Sequence, residues 1–133
     1  MPVDPVTEAP ACDVCGGTPA EFATFRSVLA LLIAWQLQTR RGWFCRDCGV
    51  SVHREMTTFT MVAGWWGLAF LGALTAIAMN ASAAGRLARL PAPAYRTGRP
   101  LAPRRPLSRS PALIGPILFG TLVLAFCCGV PGR

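Results

Sequence analysis

The chain has 133 residues, of which 53% are hydrophobic and only 14% are charged. This composition excludes an intrinsically disordered protein and is low in charge for a soluble globular domain, where about 25% is usual. The net charge of +7 is unevenly spread, because residues 1–55 carry all six acids while residues 56–133 carry eight arginines and no acid. The composition therefore predicts a membrane protein with room for one small N-terminal domain.

Two CxxC pairs, each followed by glycine, are separated by 29 residues. Their members are Cys12, Cys15, Cys45 and Cys48. A two-residue spacer allows a tight turn that directs both sulfurs at one ion, and two such turns supply a tetrahedral set of four thiolates. Such a set leaves no open position for a catalytic water. The pattern predicts one structural Zn²⁺ per chain and a protein that is not an enzyme.

Other interpretations of the cysteines remain open. A dithiol redox role is one alternative, although no βαβ pattern surrounds either pair. Structural disulfides and iron are others, but the spacings do not match the cysteine runs of ferredoxins. His53 could replace one cysteine as a ligand or act as a base, and with four thiols present we expect neither role.

The residues between the two pairs predict strands joined by a turn. Residues 20–25 alternate loosely, and the apolar run 28–35 has the length of a buried strand. We predict a turn at residues 38–42. The order of CxxC turn, strands, turn, strand and CxxC turn resembles a zinc ribbon over residues 12–50.

Aromatic and basic residues on this module form a candidate partner-binding surface. They are Trp35, Arg40, Arg41, Trp43 and Phe44. Zinc ribbons often bind nucleic acid through such surfaces. The module as a whole is close to neutral, however, whereas phosphate-binding surfaces have a positive excess. We therefore expect an unidentified protein partner and no nucleic acid.

Two uncharged segments have the length of membrane helices. Residues 59–79 would span about 31 Å as a helix, which is enough to cross a bilayer. Trp65 and Trp66 lie near its start and are predicted to mark a membrane interface. Residues 112–130 are predicted to form a second crossing, so that the lipid bilayer is itself a partner.

The remaining segments are predicted to be irregular. Residues 1–11 form a disordered tail, and residues 51–58 form a juxtamembrane connection. Residues 80–111 are rich in arginine and proline, which favours an extended connector lying on anionic headgroups.

The predicted fold class is thus a small N-terminal zinc-ribbon-like β module plus two hydrophobic α-helices that form a membrane hairpin. The localisation expected is the plasma membrane, as a multi-pass protein. The arginine-rich connector favours a cytoplasmic loop, which would leave the module outside. Reduced thiolates belong in a reducing compartment, and on that ground we place the zinc module in the cytoplasm.

Several motifs together carry a family resemblance. They are the two CxxCG pairs, Phe25-Arg26, Gly42, Gly64-Trp65-Trp66-Gly67, Asn80 and Leu90-Pro91. The chain resembles a group of small actinobacterial membrane proteins of unassigned activity that have an N-terminal zinc ribbon. The function expected is a membrane-anchored interaction or regulatory adaptor. The alternative is a membrane thiol–disulfide redox element that uses its CxxC pairs.

Overall fold

The computed structural model describes residues 10–31, 33–67, 69–94 and 96–129. These residues form two strands and three α-helices: β1 Glu21–Leu31, β2 Ala34–Phe44, α1 Arg46–Ala63, α2 Phe70–Ala88 and α3 Ile114–Cys127. Two short 3-10 turns, at Leu107–Arg109 and Pro111–Leu113, precede α3. The tail predicted over residues 1–11 lies outside the described residues, apart from its last two.

The two strands form one antiparallel hairpin. Pairing runs from Glu21 opposite Phe44 to Leu31 opposite Ala34, so the chain reverses between Leu31 and Ala34. The turn predicted at residues 38–42 is therefore wrong, because these residues lie within β2. The backbone groups of alternate residues here bond to β1, while the polar side chains stay in solvent. Residues 38–41 are polar because this part of β2 is exposed.

The outer edge of β1 is sealed by side chains from the helices. The Arg26 amide donates to Asn80 Oδ1 over 2.8 Å, and Asn80 Nδ2 donates back to the Arg26 carbonyl over 2.6 Å. The Val28 amide donates to Thr60 Oγ1 over 3.1 Å. Asn80 on α2 and Thr60 on α1 thus replace the strand that a larger sheet would place here.

The face of α2 that packs inward is made mostly of small side chains. Its buried residues recur at intervals of three and four, as one face of a helix requires. They are Ala73, Ala76, Asn80, Ala83 and Leu87. Alanine at these positions lets the helix approach β1 and α1 closely. The small residues of α2 therefore pack inside the protein, whereas its larger apolar side chains Leu71, Leu74 and Met79 are exposed.

The segment predicted as the first membrane helix is two helices joined by a turn. α1 ends at Ala63, α2 begins at Phe70, and Gly67 between them has a φ of 127°. A methyl group on Gly64 would lie 2.6 Å from the Thr60 carbonyl oxygen and 2.9 Å from Ala73 Cβ, so the turn is tightly packed.

Among the described residues, no helix combines the length and apolar character needed to cross a bilayer. The predicted membrane hairpin and the multi-pass plasma-membrane localisation are therefore wrong. The physical reason is that a turn divides segment 59–79 between α1 and α2, and that mainly its small residues pack inward. α3 has only 14 residues, whereas a crossing needs about 20.

Two further segments differ from their predicted form. Residues 51–58, expected as a connection, lie inside α1, and residues 80–88 of the expected connector form the end of α2.

The Asn80 contacts predict a large loss of stability on substitution. Asn80→Leu leaves both backbone groups of Arg26 without partners in a buried setting, so we expect unfolding free energy to fall by about 2–4 kcal/mol. Urea denaturation followed by circular dichroism measures this.

Ser82→Ala is the matched control, because Ser82 lies on the same helix and is exposed. We expect a change within about 0.5 kcal/mol. Equal stability of the Asn80→Leu and Ser82→Ala variants would contradict the proposed sealing of the β1 edge.

Candidate metal centre

The two CxxC turns lie at the open end of the hairpin. The first precedes β1, and its chain reverses where the Gly16 amide donates to the Cys12 carbonyl over 2.8 Å. Gly16 has a φ of 65°, a conformation that glycine adopts without steric cost. In the second turn, Cys45 directly precedes α1 and Cys48 lies in the first helical turn. The Gly49 amide donates to the Cys45 carbonyl over 2.9 Å.

The four sulfurs form one compact cluster. All four Sγ atoms lie within 4.8 Å of one another, and Cys15 Sγ is 3.6 Å from Cys45 Sγ. A tetrahedral site with metal–sulfur bonds near 2.3 Å has sulfur–sulfur edges of about 3.8 Å. The cysteines are free thiols, and each is at most 3% exposed. The predicted four-cysteine cluster is confirmed as a site that could bind a metal ion.

The proline-rich connector closes over the first CxxC turn. The amides of Thr97 and Gly98 both donate to the Cys15 carbonyl, over 3.1 and 3.0 Å. Thr18 and Ala94 exchange two backbone hydrogen bonds as an isolated bridge. We predicted a connector lying on lipid headgroups, and the structure places this part of it against the metal site. The sequence carries no local signal for this contact, since its partners are about 80 residues apart.

A second contact brings the end of α2 to the cluster. Leu87 is fully buried and lies beside Gly49, where a side-chain methyl would overlap it. The absence of a side chain at Gly49, which lies within α1, therefore leaves room for Leu87.

Burial and backbone hydrogen bonds act in opposite directions on the pKa of Cys12, Cys45 and Cys48. Burial raises the pKa of Cys45 and of Cys48, and hydrogen bonds from backbone amides only partly offset it. At Cys12 burial also acts upward, but hydrogen bonds from the backbone of Cys45, Cys15 and Val14 outweigh it and the pKa lies below its usual value. Metal binding here must release thiol protons, because thiolates are the ligand form.

His53 is outside the cluster. Its Nδ1 lies 3.3 Å from the Thr57 hydroxyl, and its ring centroid is 6.4 Å from that of Phe25. Burial, followed by the charge of Arg54, lowers the pKa of His53. The residue packs against the core and adds no ligand to the four-sulfur site.

The predicted partner-binding residues separate into buried and exposed groups. Phe44 is buried, with its ring centroid 5.7 Å from that of Phe25. Trp43 is exposed and pairs edge-on with Phe22 at 5.8 Å.

The other members of that predicted surface lie further along β2. Arg40 lies 3.8 Å from the Glu55 carboxylate, and Arg41 is exposed beside it. Trp35 is at the far end of the strand, eight residues from Trp43. The surface predicted as one patch is therefore spread along the length of the strand.

The predicted membrane-interface tryptophans lie in the turn between α1 and α2. Trp65 is only 8% exposed and packs on Phe119 of α3, with ring centroids 5.8 Å apart. Trp66 is half exposed, and its indole N–H donates to the Val62 carbonyl over 3.0 Å. Trp65 thus contributes to packing between the helices.

Comparisons with protein-family models, with curated proteins and with solved structures found no match. The resemblance to an actinobacterial membrane family stays a prediction.

The lowered pKa of His53 predicts acid sensitivity of the fold. The folded protein favours neutral imidazole, so stability is complete above the unfolded pKa of 6.5 and is lost as the pH falls through it toward the lower folded value. Urea midpoints at about pH 7.5 and about pH 5.5 should therefore differ less for His53→Gln than for the native chain. Since the metal ligands are identical in both proteins, an equal difference would contradict this assignment.

Proposed function

We propose that the protein is a non-catalytic interaction module whose fold is stabilised by one structural Zn²⁺ held by Cys12, Cys15, Cys45 and Cys48. The observation that carries this proposal is the set of four buried sulfurs within 4.8 Å. Structural zinc sites use four protein ligands in this way, and catalytic sites keep one position for water. When bound, the ion supplies folding free energy.

The position of the site supports a stabilising role. The cysteines join the start of β1 to the end of β2 and to the first turn of α1. An isolated two-stranded hairpin is marginally stable in water. An ion at its open end would fasten both strands and the first helix at one point.

The burial of the thiols weighs against the redox alternative. Reactive CxxC motifs have an accessible thiol with a lowered pKa. Here burial raises the pKa of Cys45 and Cys48, and Cys12 with its lowered pKa is only 3% exposed. The arrangement favours metal binding.

The free edge of β2 supports the interaction role. In the described residues β2 pairs with β1 alone, so its other edge is open to a partner strand. Asp13 occupies that edge at one position, where it bonds to the backbone of Trp43. Because backbone groups alternate in direction along an antiparallel strand, those of Thr39 and Arg41 point to the free edge with those of Trp43. A partner segment could add a strand here, with the Phe22–Trp43 pair available for its side chains.

Loss of the cysteines should remove metal and stability together. In the Cys12→Ser/Cys45→Ser variant we expect zinc content to fall from one ion per chain to none. We also expect the melting temperature to fall by at least about 10 °C, because a structural ion contributes several kcal/mol. Elemental analysis and thermal unfolding measure the two effects, and Co²⁺ absorption reports tetrahedral thiolate ligation.

Cys127→Ser/Cys128→Ser is the matched control, since these two cysteines are exposed at the end of α3. It should keep both zinc and stability. Full zinc content in the Cys12→Ser/Cys45→Ser variant, or a metal-free native protein with disulfides among these four cysteines, would overturn the proposal.

The interaction role predicts position-specific cross-linking. A photo-reactive amino acid at Thr39, on the free edge of β2, should give a discrete protein adduct in cells. The same amino acid at Ser82, exposed on α2, should give none. The same adducts from both positions, or none from Thr39, would count against β2 as the binding edge.

A further inference from the structure

Three uncharged stretches of the sequence each supply part of the end of the molecule that lies opposite the metal site. They are residues 27–39, 56–85 and 110–129. The first forms the closed end of the hairpin, the second contains the α1–α2 turn and most of α2, and the third contains α3. We call the surface that they form together the apolar end.

Packing joins these stretches around the start of α2. A groove of about 490 Å³ runs between the hairpin and α2, and is lined by Trp35 and Leu37 on one side and by Ala69 and Gly72 on the other. On α3, the Phe119 ring lies 5.8 Å from that of Phe70. Hairpin, α2 and α3 therefore contribute to one connected region.

The large side chains of this region extend into solvent. Ile33 at the hairpin turn is 96% exposed, Trp35 is 71% exposed, and Phe126 on α3 is 81% exposed. Exposed apolar surface of this extent marks an interaction site. Leu87, which packs at the metal centre, is about 25 Å further along α2 than Phe70 at 1.5 Å per residue.

Charge is arranged around the apolar end as a rim of arginine. Arg26 and Arg40 bound the first stretch, and Arg109 precedes the third. Arg86 follows the second stretch but lies at the metal end, where it pairs with Glu21. Among the described residues, Arg26 is the one charged residue that lines the groove, and its Nη1 lies 3.6 Å from Met79 Sδ. Apolar side chains ringed by arginine complement the anionic headgroups and acyl chains of a lipid leaflet.

The shape of the apolar end favours lipid over a protein partner. α3 packs on α1, while the exposed hairpin residues lie on the sheet. Exposed apolar side chains therefore occur both on α3 and on the hairpin, which pack on the helix pair through different elements. A rigid partner would cover one part of such a surface, whereas fluid acyl chains and headgroups can cover all of it.

We propose that the apolar end inserts into one leaflet of an anionic lipid bilayer, with Arg26, Arg40 and Arg109 at the headgroups and the metal centre in water. The attachment is peripheral and requires no helix to cross. It does not rest on the zinc proposal, because the inserted residues are distant from the cysteines.

The test is sedimentation of the full-length, metal-loaded protein with phosphatidylcholine vesicles, with and without phosphatidylglycerol. We expect binding to the vesicles that contain phosphatidylglycerol. Trp35→Ser/Leu37→Ser should weaken that binding at least about tenfold, because it removes two large apolar side chains. Arg26→Gln should weaken it about fivefold and have no effect on binding to phosphatidylcholine alone.

Phe22→Ser/Trp43→Ser is the matched control, as it removes two exposed aromatic rings from the same hairpin near the metal end. It should leave vesicle binding unchanged. Zinc content and circular dichroism of every variant show whether it is folded, independently of vesicle binding. The substituted residues are exposed or lie at the surface.

Two outcomes would overturn the proposal. One is an equal loss of vesicle binding in the Trp35/Leu37 and Phe22/Trp43 variants. The other is no vesicle binding by the native protein together with a dimer, seen by sedimentation equilibrium, that Trp35→Ser/Leu37→Ser dissociates. That second result would assign the apolar end to a second copy of the chain.

Discussion

The arrangement of the whole chain depends on gathering four buried sulfurs at one point. Cys15 and Cys45 are 30 residues apart in sequence, yet their sulfurs are 3.6 Å apart. The chain between them must leave the cluster and return to it, which two antiparallel strands of eleven residues each achieve. α1 then starts directly at the second CxxC turn, and α2 returns to the same point through Leu87.

A sheet of only two strands needs support beyond its own pairing. The helices provide it through apolar packing on Phe25 and through the hydrogen bonds of Asn80 and Thr60 to the edge of β1. Those bonds are polar, directional and buried, so they also fix the register of each helix against the strand. The hairpin is thereby tied to the helices along its length and to the cysteines at its open end.

How far the sequence predicts this structure depends on how far apart in sequence the interacting residues are. The CxxC spacing predicts the cysteine cluster. Each CxxC turn is a local structure that supplies two sulfurs, and a four-thiolate site needs two such turns. The reversal of the chain between Leu31 and Ala34 falls within an apolar run, and no glycine or proline marks it. Asn80 was predicted to begin the arginine- and proline-rich connector, whereas it bonds to Arg26, 54 residues away in sequence.

The membrane prediction failed for a related reason. Hydropathy reports how apolar a segment is, and it does not report what covers that segment. Residues 59–79 contain the Gly64–Gly67 turn, and their small side chains pack on β1 and α1. Apolar length alone cannot separate a helix surrounded by lipid from two helices partly covered by their own protein.

Because a segment of the chain closes over the first CxxC turn, the rate at which metal ions exchange need not follow the affinity of the site for them. Sulfur chemistry sets how tightly an ion is held at equilibrium. For an ion to enter or leave past this segment, however, the backbone bonds from Thr97 and Gly98 to Cys15 must first open. Local opening of this kind has its own free energy, independent of the metal–sulfur bonds. Two thiophilic ions of very different affinity would then exchange at rates limited by the same movement of the chain.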